Sequence, residues 1–219
     1  MFTNRLYLFN NVILIKLRFD HYMLIQKNEI TIRLMQDNID DYQLMAKWLT
    51  DETVLEFYEG RDNPFPLERI IENYQPLLIG EDPAIPCIVY YQNIPIGYLQ
   101  YYALNDQSES DRQMYCLEQT DNVYGIDLFI GESNYWNQGI GTKILSAVVN
   151  YLFQELQADK IVIDPHVDNT RAIRCYEKCG FVKVKLLPAH ELHEGKYSDS
   201  WLMALDRFAW AKAIFGSKN

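Results

Sequence analysis

The chain reads as an α+β fold in which a mixed, mostly antiparallel central sheet is flanked by helices. Three observations predict it. Alternating apolar runs interleave with segments of helical period; a β-rich stretch folds back on itself over 87–104; two strand–helix crossover units occupy the C-terminal half. With 219 residues the chain suffices for one well-buried domain, placed at 29–206, with 1–28 as an N-terminal extension and 207–219 as a C-terminal tail.

The elements follow in order. "ITIRLM" (30–35) alternates apolar and polar residues and predicts a strand. "DNIDDYQLMAKWLTD" follows as a helix, its acids suiting the N-terminus and Leu44, Met45, Trp48 and Leu49 sharing one face. A second helix starts near Pro66, with Leu67, Ile70, Ile71 and Tyr74 on one side. "CIVYYQNIPIGYLQYYAL" (87–104) predicts an antiparallel hairpin, with Pro95 opening the returning strand. The polar run 105–122 carries Asp106, Glu109, Asp111, Glu118 and Asp121 against Arg112 and reads as a loop. A strand at about 124–130, a glycine loop and a helix striped by Leu145, Val148, Val149, Leu152 and Leu156 come next. "KIVIDP" is a short buried strand, "DNTRAIRCYEKCG" a helix capped by Thr170 and ended by Gly180, and "FVKVKLL" and "SWLMALD" a closing strand pair.

Thirty acidic side chains against twenty basic ones give a net charge of -10, the wrong sign for gripping nucleic acid or anionic lipid, and cationic partners are favoured instead. Neither nucleic acid nor membrane is expected as a partner. The apolar run "LYLFNNVILI" near the start is shorter than the roughly 20 residues a bilayer span needs, and no small-residue cleavage pattern follows it. Met23 is an alternative start, leaving 1–22 upstream; otherwise this segment is an extra strand or helix packed on the domain. Cys87, Cys116, Cys175 and Cys179 form no CxxC pair, which suits reduced thiols in a cytoplasm. Cys175 and Cys179, one helical turn apart, read as packing residues. Monomer and homodimer are equally open.

Chemistry concentrates in "YGIDLFIGESNYWNQGIGTKIL". Gly139 and Gly141 let backbone approach a ligand, and a helix beginning near Thr142 aims free N–H groups at the loop, an arrangement suited to phosphate oxygens. It lacks the Lys-Ser/Thr pair of a Walker loop and the third glycine of a dinucleotide fingerprint. Asp127 sits mid-strand on the face opposite Ile126 and Leu128 unless a bulge alters the parity. It suits a base, or a strand acid that pairs with lysine or faces water. "HELH" spaces His190 and His193 at i and i+3 rather than the i and i+4 of HExxH, and metal catalysis is rejected.

"DNTRAIRCYEKCGF" fills the pattern N-x-x-A-x-x-x-Y-x-x-x-G-F at Asn169, Ala172, Tyr176, Gly180 and Phe181. With the glycine loop, it makes the chain resemble the GCN5-related N-acetyltransferase superfamily, whose loop reads Q/R-x-x-G-x-G/A; Trp136 occupies the Gln/Arg slot here. "WLTDE", "LEFYEGRD", "IPIGYLQ", "YGIDLFIGE", "GIGTKIL" and "ELHEGK" further resemble the aminoglycoside 6'-N-acetyltransferases of antibiotic-resistant bacteria, over roughly 29–206. The resemblance implies that fold, acetyl-CoA as co-substrate without metal, and direct transfer to the 6'-amine of a cationic aminoglycoside, conferring resistance.

It places the base at Asp127 and a general acid at Tyr176, which as a bare sequence position suits a tyrosine packed beneath the sheet equally well. Leu128, Phe129 and Ile130, the loop Gln138, Gly139, Ile140, Gly141, Thr142 and Lys143, and Asn169, Ala172 and Tyr176 would bind the coenzyme. Lys143, Arg171 and Arg174 are cations near its phosphates, each equally readable as a solvated helix charge. A polycationic sugar needs carboxylates and ring-packing surfaces, which Glu56, Asp127, Asp164, Glu191 and Glu194 with Tyr58 and Tyr124 supply. The alternatives are acetylation of a polyamine, a protein amino terminus or a siderophore precursor, or a non-catalytic acyl-CoA-binding module.

Overall fold

The computed structural model describes residues 22–104, 109–118 and 121–216. The apolar run near the start and parts of the acidic stretch lie outside them. Eight strands form one sheet in the order β1-β2-β3-β4-β5-β6-β8-β7. Every pairing is antiparallel except β5 with β6.

β1 (Met23–Lys27) and β2 (Ile30–Leu34) form a hairpin. The sheet thus begins inside the segment 1–28 that the sequence reading set apart. α1 (Ile39–Trp48) starts where Asn38 Oδ1 accepts the Asp41 N–H at 2.9 Å. A short α2 (Glu52–Leu55) precedes α3 (Leu67–Leu78), for which Pro66 is the N-cap. β3 (Ile85–Tyr91) and β4 (Ile94–Ala103) are the expected hairpin, joined through Gln92 and Asn93 at φ 49° and 65°. Positive φ at both central positions is what a two-residue hairpin turn requires.

The acidic run contains a short helix, α4 (Glu109–Met114), and is therefore not the continuous loop expected. Then come β5 (Val123–Ile130), α5 (Ile140–Gln154), β6 (Lys160–Ile163) and α6 (Thr170–Lys178). The N-cap of α6 is Asn169 rather than Thr170: its Oδ1 accepts the Ala172 N–H at 3.1 Å. β7 (Val182–His193) and β8 (Lys196–Asp206) form a hairpin whose returning arm leads into α7 (Arg207–Phe215), within the stretch set apart as a tail. No helix among the described residues is long and apolar enough to cross a membrane.

The stripe of α5 packs with Ile173 and Trp210 on one sheet face, against Ile32, Val89, Leu99 and Ile126. α1 and α3 cover the other face through Met45, Trp48 and Ile70 against Ile88, Tyr90 and Tyr98. Under that second layer Arg33 and Asp41 form a buried bidentate pair, 2.6 and 2.7 Å. Asp41 also accepts the Gln36 N–H at 2.8 Å. Removing one partner strands a buried charge. Asp41→Asn is expected to lower the unfolding free energy by about 3 kcal/mol, measurable as a shift in urea midpoint; an unchanged midpoint would show that the pair does not hold α1 to the sheet.

Candidate active site

β5 is held by β4 along its whole length, Ala103↔Tyr124 through Gly97↔Ile130, with no break in register. β6 accompanies it only over Val123–Gly125. Beyond Gly125 the two strands part, and the opening leads to two cavities of about 380 and 400 Å³. Phe57, Tyr58, Leu128, Asn169 and Tyr176 line both.

The first cavity is floored by the glycine loop: Gly139, Ile140, Gly141 and Thr142 line it. Asn137 at φ 60° and Gly139 at φ 74° turn the chain, and Gly139 caps α5 with no side-chain bond. The opening amides of the helix therefore have no capping side chain, the condition for receiving an anion. At Gly141 a Cβ would stand 3.4 Å from Cys175 Sγ, an ordinary contact, so α6 packs against α5 at this point without requiring glycine. Cys175 lines the cavity beside the Thr142 hydroxyl at 3.5 Å. Its thiol is held below the usual range, chiefly by a hydrogen bond with Cys179.

Trp136, in the slot where the sequence motif has Gln or Arg, donates its Nε1–H to the Ile130 carbonyl at 2.7 Å. The Arg171 guanidinium lies over the Trp136 ring at 3.7 Å and the Phe57 ring at 4.7 Å, and burial lowers its pKa. Arg174 and Ala172 line the same cavity. Two expected cofactor residues are not brought there. Gln138 donates its side-chain amide to the Asn134 carbonyl at 2.6 Å, and Lys143 pairs with Glu29 at 2.8 Å over the Tyr91 ring. Glu29 is far away in sequence, so nothing local to Lys143 announces that partner.

The second cavity holds the acids. Asp127 shares the sheet face of Phe129, as alternation predicts. It stands opposite Gln100, whose Nε2–H donates to Asp127 Oδ2 at 2.7 Å while Tyr98 O–H donates to Gln100 Oε1 at 2.7 Å. Burial pushes the Asp127 carboxyl up to about 6; the Gln100 bond opposes this, and the charges of Asp164, Glu191 and Glu59 add to it. Tyr176 is 7% exposed, and burial first, then Cys175 and Asp127, pushes its phenol well up, so it keeps its proton at neutral pH.

Asp164, just past β6, accepts from Tyr115 O–H at 3.3 Å and lies 3.0 Å from His190 Nε2. Glu191 lies 2.8 Å from His166 Nε2. Tyr58 packs on Phe129 with ring centroids 4.6 Å apart. Three expected ligand-side residues stand elsewhere. Tyr124 has the opposite parity from Asp127 and packs near Tyr101 in the α5 layer. Glu56 is exposed and contributes its carbonyl, 3.1 Å from His193 Nε2. Glu194 is bound by Arg61, 2.8 Å from Nη2, which holds its carboxyl down to about 2.

The sequence reading missed Gln100, Glu59, Asn63 and His166, all in the second cavity. Gln100 was discoverable, since pairing the 87–104 hairpin onto the Asp127 strand sets it across from the acid. Glu59 adjoins Tyr58 in "LEFYEG"; Asn63 Nδ2 donates to it at 3.2 Å, and burial raises its pKa.

A family model described as an acetyltransferase (GNAT) domain matches residues 37–188. The aminoglycoside N(6')-acetyltransferase type 1 of Klebsiella pneumoniae is 33% identical over 155 residues, covering 70% of this chain and 74% of the relative. A kanamycin resistance protein of Rhizobium radiobacter is 46% identical over 65 residues, 29% of this chain and 60% of the relative. The crystal structure of aminoglycoside acetyltransferase AAC(6')-Ib in complex with coenzyme A and kanamycin superposes with a TM-score of 0.68 at 29% identity, covering 84% of this chain and 98% of the other.

Because folding raises the Asp127 pKa, the fold favours the protonated acid: its contribution is full below the unfolded-state pKa and is lost as pH rises through about 6. Asp127→Asn is therefore expected to raise stability at pH 8 by about 2 kcal/mol, with the gain vanishing near pH 4. Urea titrations at both pH values measure it; a gain that did not depend on pH would contradict the burial of this charge.

Proposed function

The chain belongs to the GNAT acetyltransferases and, within them, to the aminoglycoside N(6')-acetyltransferase family, and we propose that it moves the acetyl group of acetyl-CoA onto the 6'-amine of an aminoglycoside by direct attack in a ternary complex. The observation that carries this reading is the position of Asp127. A half-buried carboxyl, its pKa pushed up to about 6, lines the acidic cavity, which shares Leu128, Asn169 and Tyr176 with the glycine-loop cavity.

An alkylammonium must lose a proton before its nitrogen can attack, and Asp127 accepts that proton directly or through one water. Its raised pKa makes it a more effective base than an exposed aspartate while leaving it mostly ionised at pH 7. The β5 edge at Leu128–Ile130, unaccompanied by β6, presents backbone amides to the thioester oxygen and the pantetheine arm. Tyr176, protonated and in the wall of both cavities, donates to the departing sulfur. The Gly139–Thr142 amides hold the diphosphate, and Asn169 and Ala172 line the path of the arm.

Arg171 supplies the cation that Trp136 removes from the motif, since the guanidinium lies on the very ring that displaced it. Asp164, Glu191 and Glu59 take the remaining ammonium groups of the sugar, and Tyr58 offers a ring face. Glu56, Tyr124, Glu194, Gln138 and Lys143 have no part in this arrangement. The free cysteines accord with a cytoplasmic enzyme.

Turnover with acetyl-CoA and kanamycin, and the position of acetyl on the product by NMR, test the reading. We expect 6'-N-acetylkanamycin, and faster turnover than with spermidine or peptide amines; acetylation of spermidine or a peptide in preference would overturn the substrate assignment. Asp127→Asn is expected to lower kcat at least about 100-fold with the coenzyme Kd unchanged, and an unaltered kcat would remove the base. Arg171→Ala is expected to raise the KM for acetyl-CoA about tenfold with kcat little changed. An unchanged KM would leave the phosphates to the loop amides alone.

A further inference from the structure

Within the acidic cavity the carboxylates differ in what they touch. Asp127 and Glu59 are held by side-chain amides, those of Gln100 and Asn63. Asp164 and Glu191 each face an imidazole, His190 and His166. Among the described residues no lysine or arginine side chain lines this cavity. The cationic side chains within hydrogen-bond reach of Asp164 and Glu191 here, among the described residues, are therefore ones that a proton can switch on and off, while Arg69 acts on Glu59 from outside the lining.

His190 is the clearer case. It comes from the long β7–β8 hairpin, whose turn at Glu194 and Gly195 has φ 49° and 72°. The hairpin tip is fixed to the α2–α3 connection by the Arg61 pair of Glu194 and by His193 against the Glu56 carbonyl. The His190 ring is thereby held behind Asp164, its side chain 14% exposed, and it does not itself line the cavity. The groups facing it are Asp164 from the end of β6, Tyr115 from the segment after α4 with ring centroids 6.3 Å away, and Glu191 beside it on β7. Asp127 and Glu59 complete the acidic wall beyond Asp164.

We propose that His190 is a proton-operated counter-ion of the substrate cavity: charged, it neutralises Asp164 and weakens the grip on a polyammonium sugar; neutral, it leaves Asp164 a full carboxylate for an ammonium group. The inference rests on the aminoglycoside reading given above. Its geometry is a cavity carboxylate hydrogen-bonded from behind by an ionisable ring, and the hydrogen bond with Asp164, ahead of its charge and that of Glu191, raises the His190 pKa above its ordinary value. Linkage then makes the effect reciprocal, so that bringing ammonium groups to Asp164 expels the His190 proton. His190 touches no reacting atom and acts as a positioning residue through charge.

The test is the Kd of kanamycin by calorimetry between pH 5.5 and 7.5, in an Asp127→Asn background so that position 127 does not titrate. We expect Kd to fall about tenfold over this range, with proton release detected by comparing buffers of different ionisation enthalpy. His190→Asn should bind tightly at pH 5.5 with a flatter profile and less proton release. His190→Lys, permanently charged, should bind weakly at both ends. Equal pH slopes and equal proton release with and without His190 would overturn the inference while leaving the aminoglycoside reading intact, as would a Kd raised at every pH by His190→Asn. Failure of kanamycin to bind the unsubstituted protein at any pH would overturn both.

Discussion

The parting of β5 from β6 after Gly125 is the constraint on which the rest of the site depends. A parallel pair that stopped nowhere would close the sheet, and the two cavities would be separated by a continuous ladder of hydrogen bonds. Here β6 is four residues long and β5 is eight. β4 alone keeps β5 straight past the divergence. Backbone groups on the exposed edge need partners. Trp136 takes the Ile130 carbonyl, and Leu128, Phe129 and Ile130 border the glycine-loop cavity.

The same divergence explains how an acid can sit mid-strand. Asp127 faces a space that helices do not fill, so it escapes the full penalty of burial yet remains far enough from water for its pKa to rise. The Tyr98–Gln100–Asp127 chain orients it from across the hairpin. Arg33–Asp41 shows the contrasting solution: where the chain buries an acid only for architecture, it supplies a guanidinium partner. Asp127 has an amide instead, which steadies the carboxylate without neutralising it.

Much of this was legible in the residues. Strand alternation put Asp127 on the correct face, because the β4–β5 register contains no bulge to reverse it. The α5 stripe and the glycines around Gly139 located the phosphate end. What stayed hidden depends on partners remote in sequence: Lys143 belongs to Glu29, and Glu194 to Arg61. Tyr124 is a parity error of the opposite kind, since the alternation that placed Asp127 also places Tyr124 on the far face. β7 extends well past "FVKVKLL" because most of it is exposed, which leaves no apolar period to follow, and "HELH" reaches the acidic cavity only through the long pairing of that hairpin. β1 had no signal beyond its pairing with β2.

A crystal structure of the protein with coenzyme A and kanamycin bound together tests the central claim most directly. The account predicts the 6'-nitrogen about 3 Å from an Asp127 carboxylate oxygen, or joined to it by one water, with the coenzyme sulfur between Leu128 and Tyr176 and the diphosphate on the Gly139–Thr142 amides. A 6'-nitrogen held instead by Asp164 or Glu191, with Asp127 out of reach of any bridging water, would contradict it.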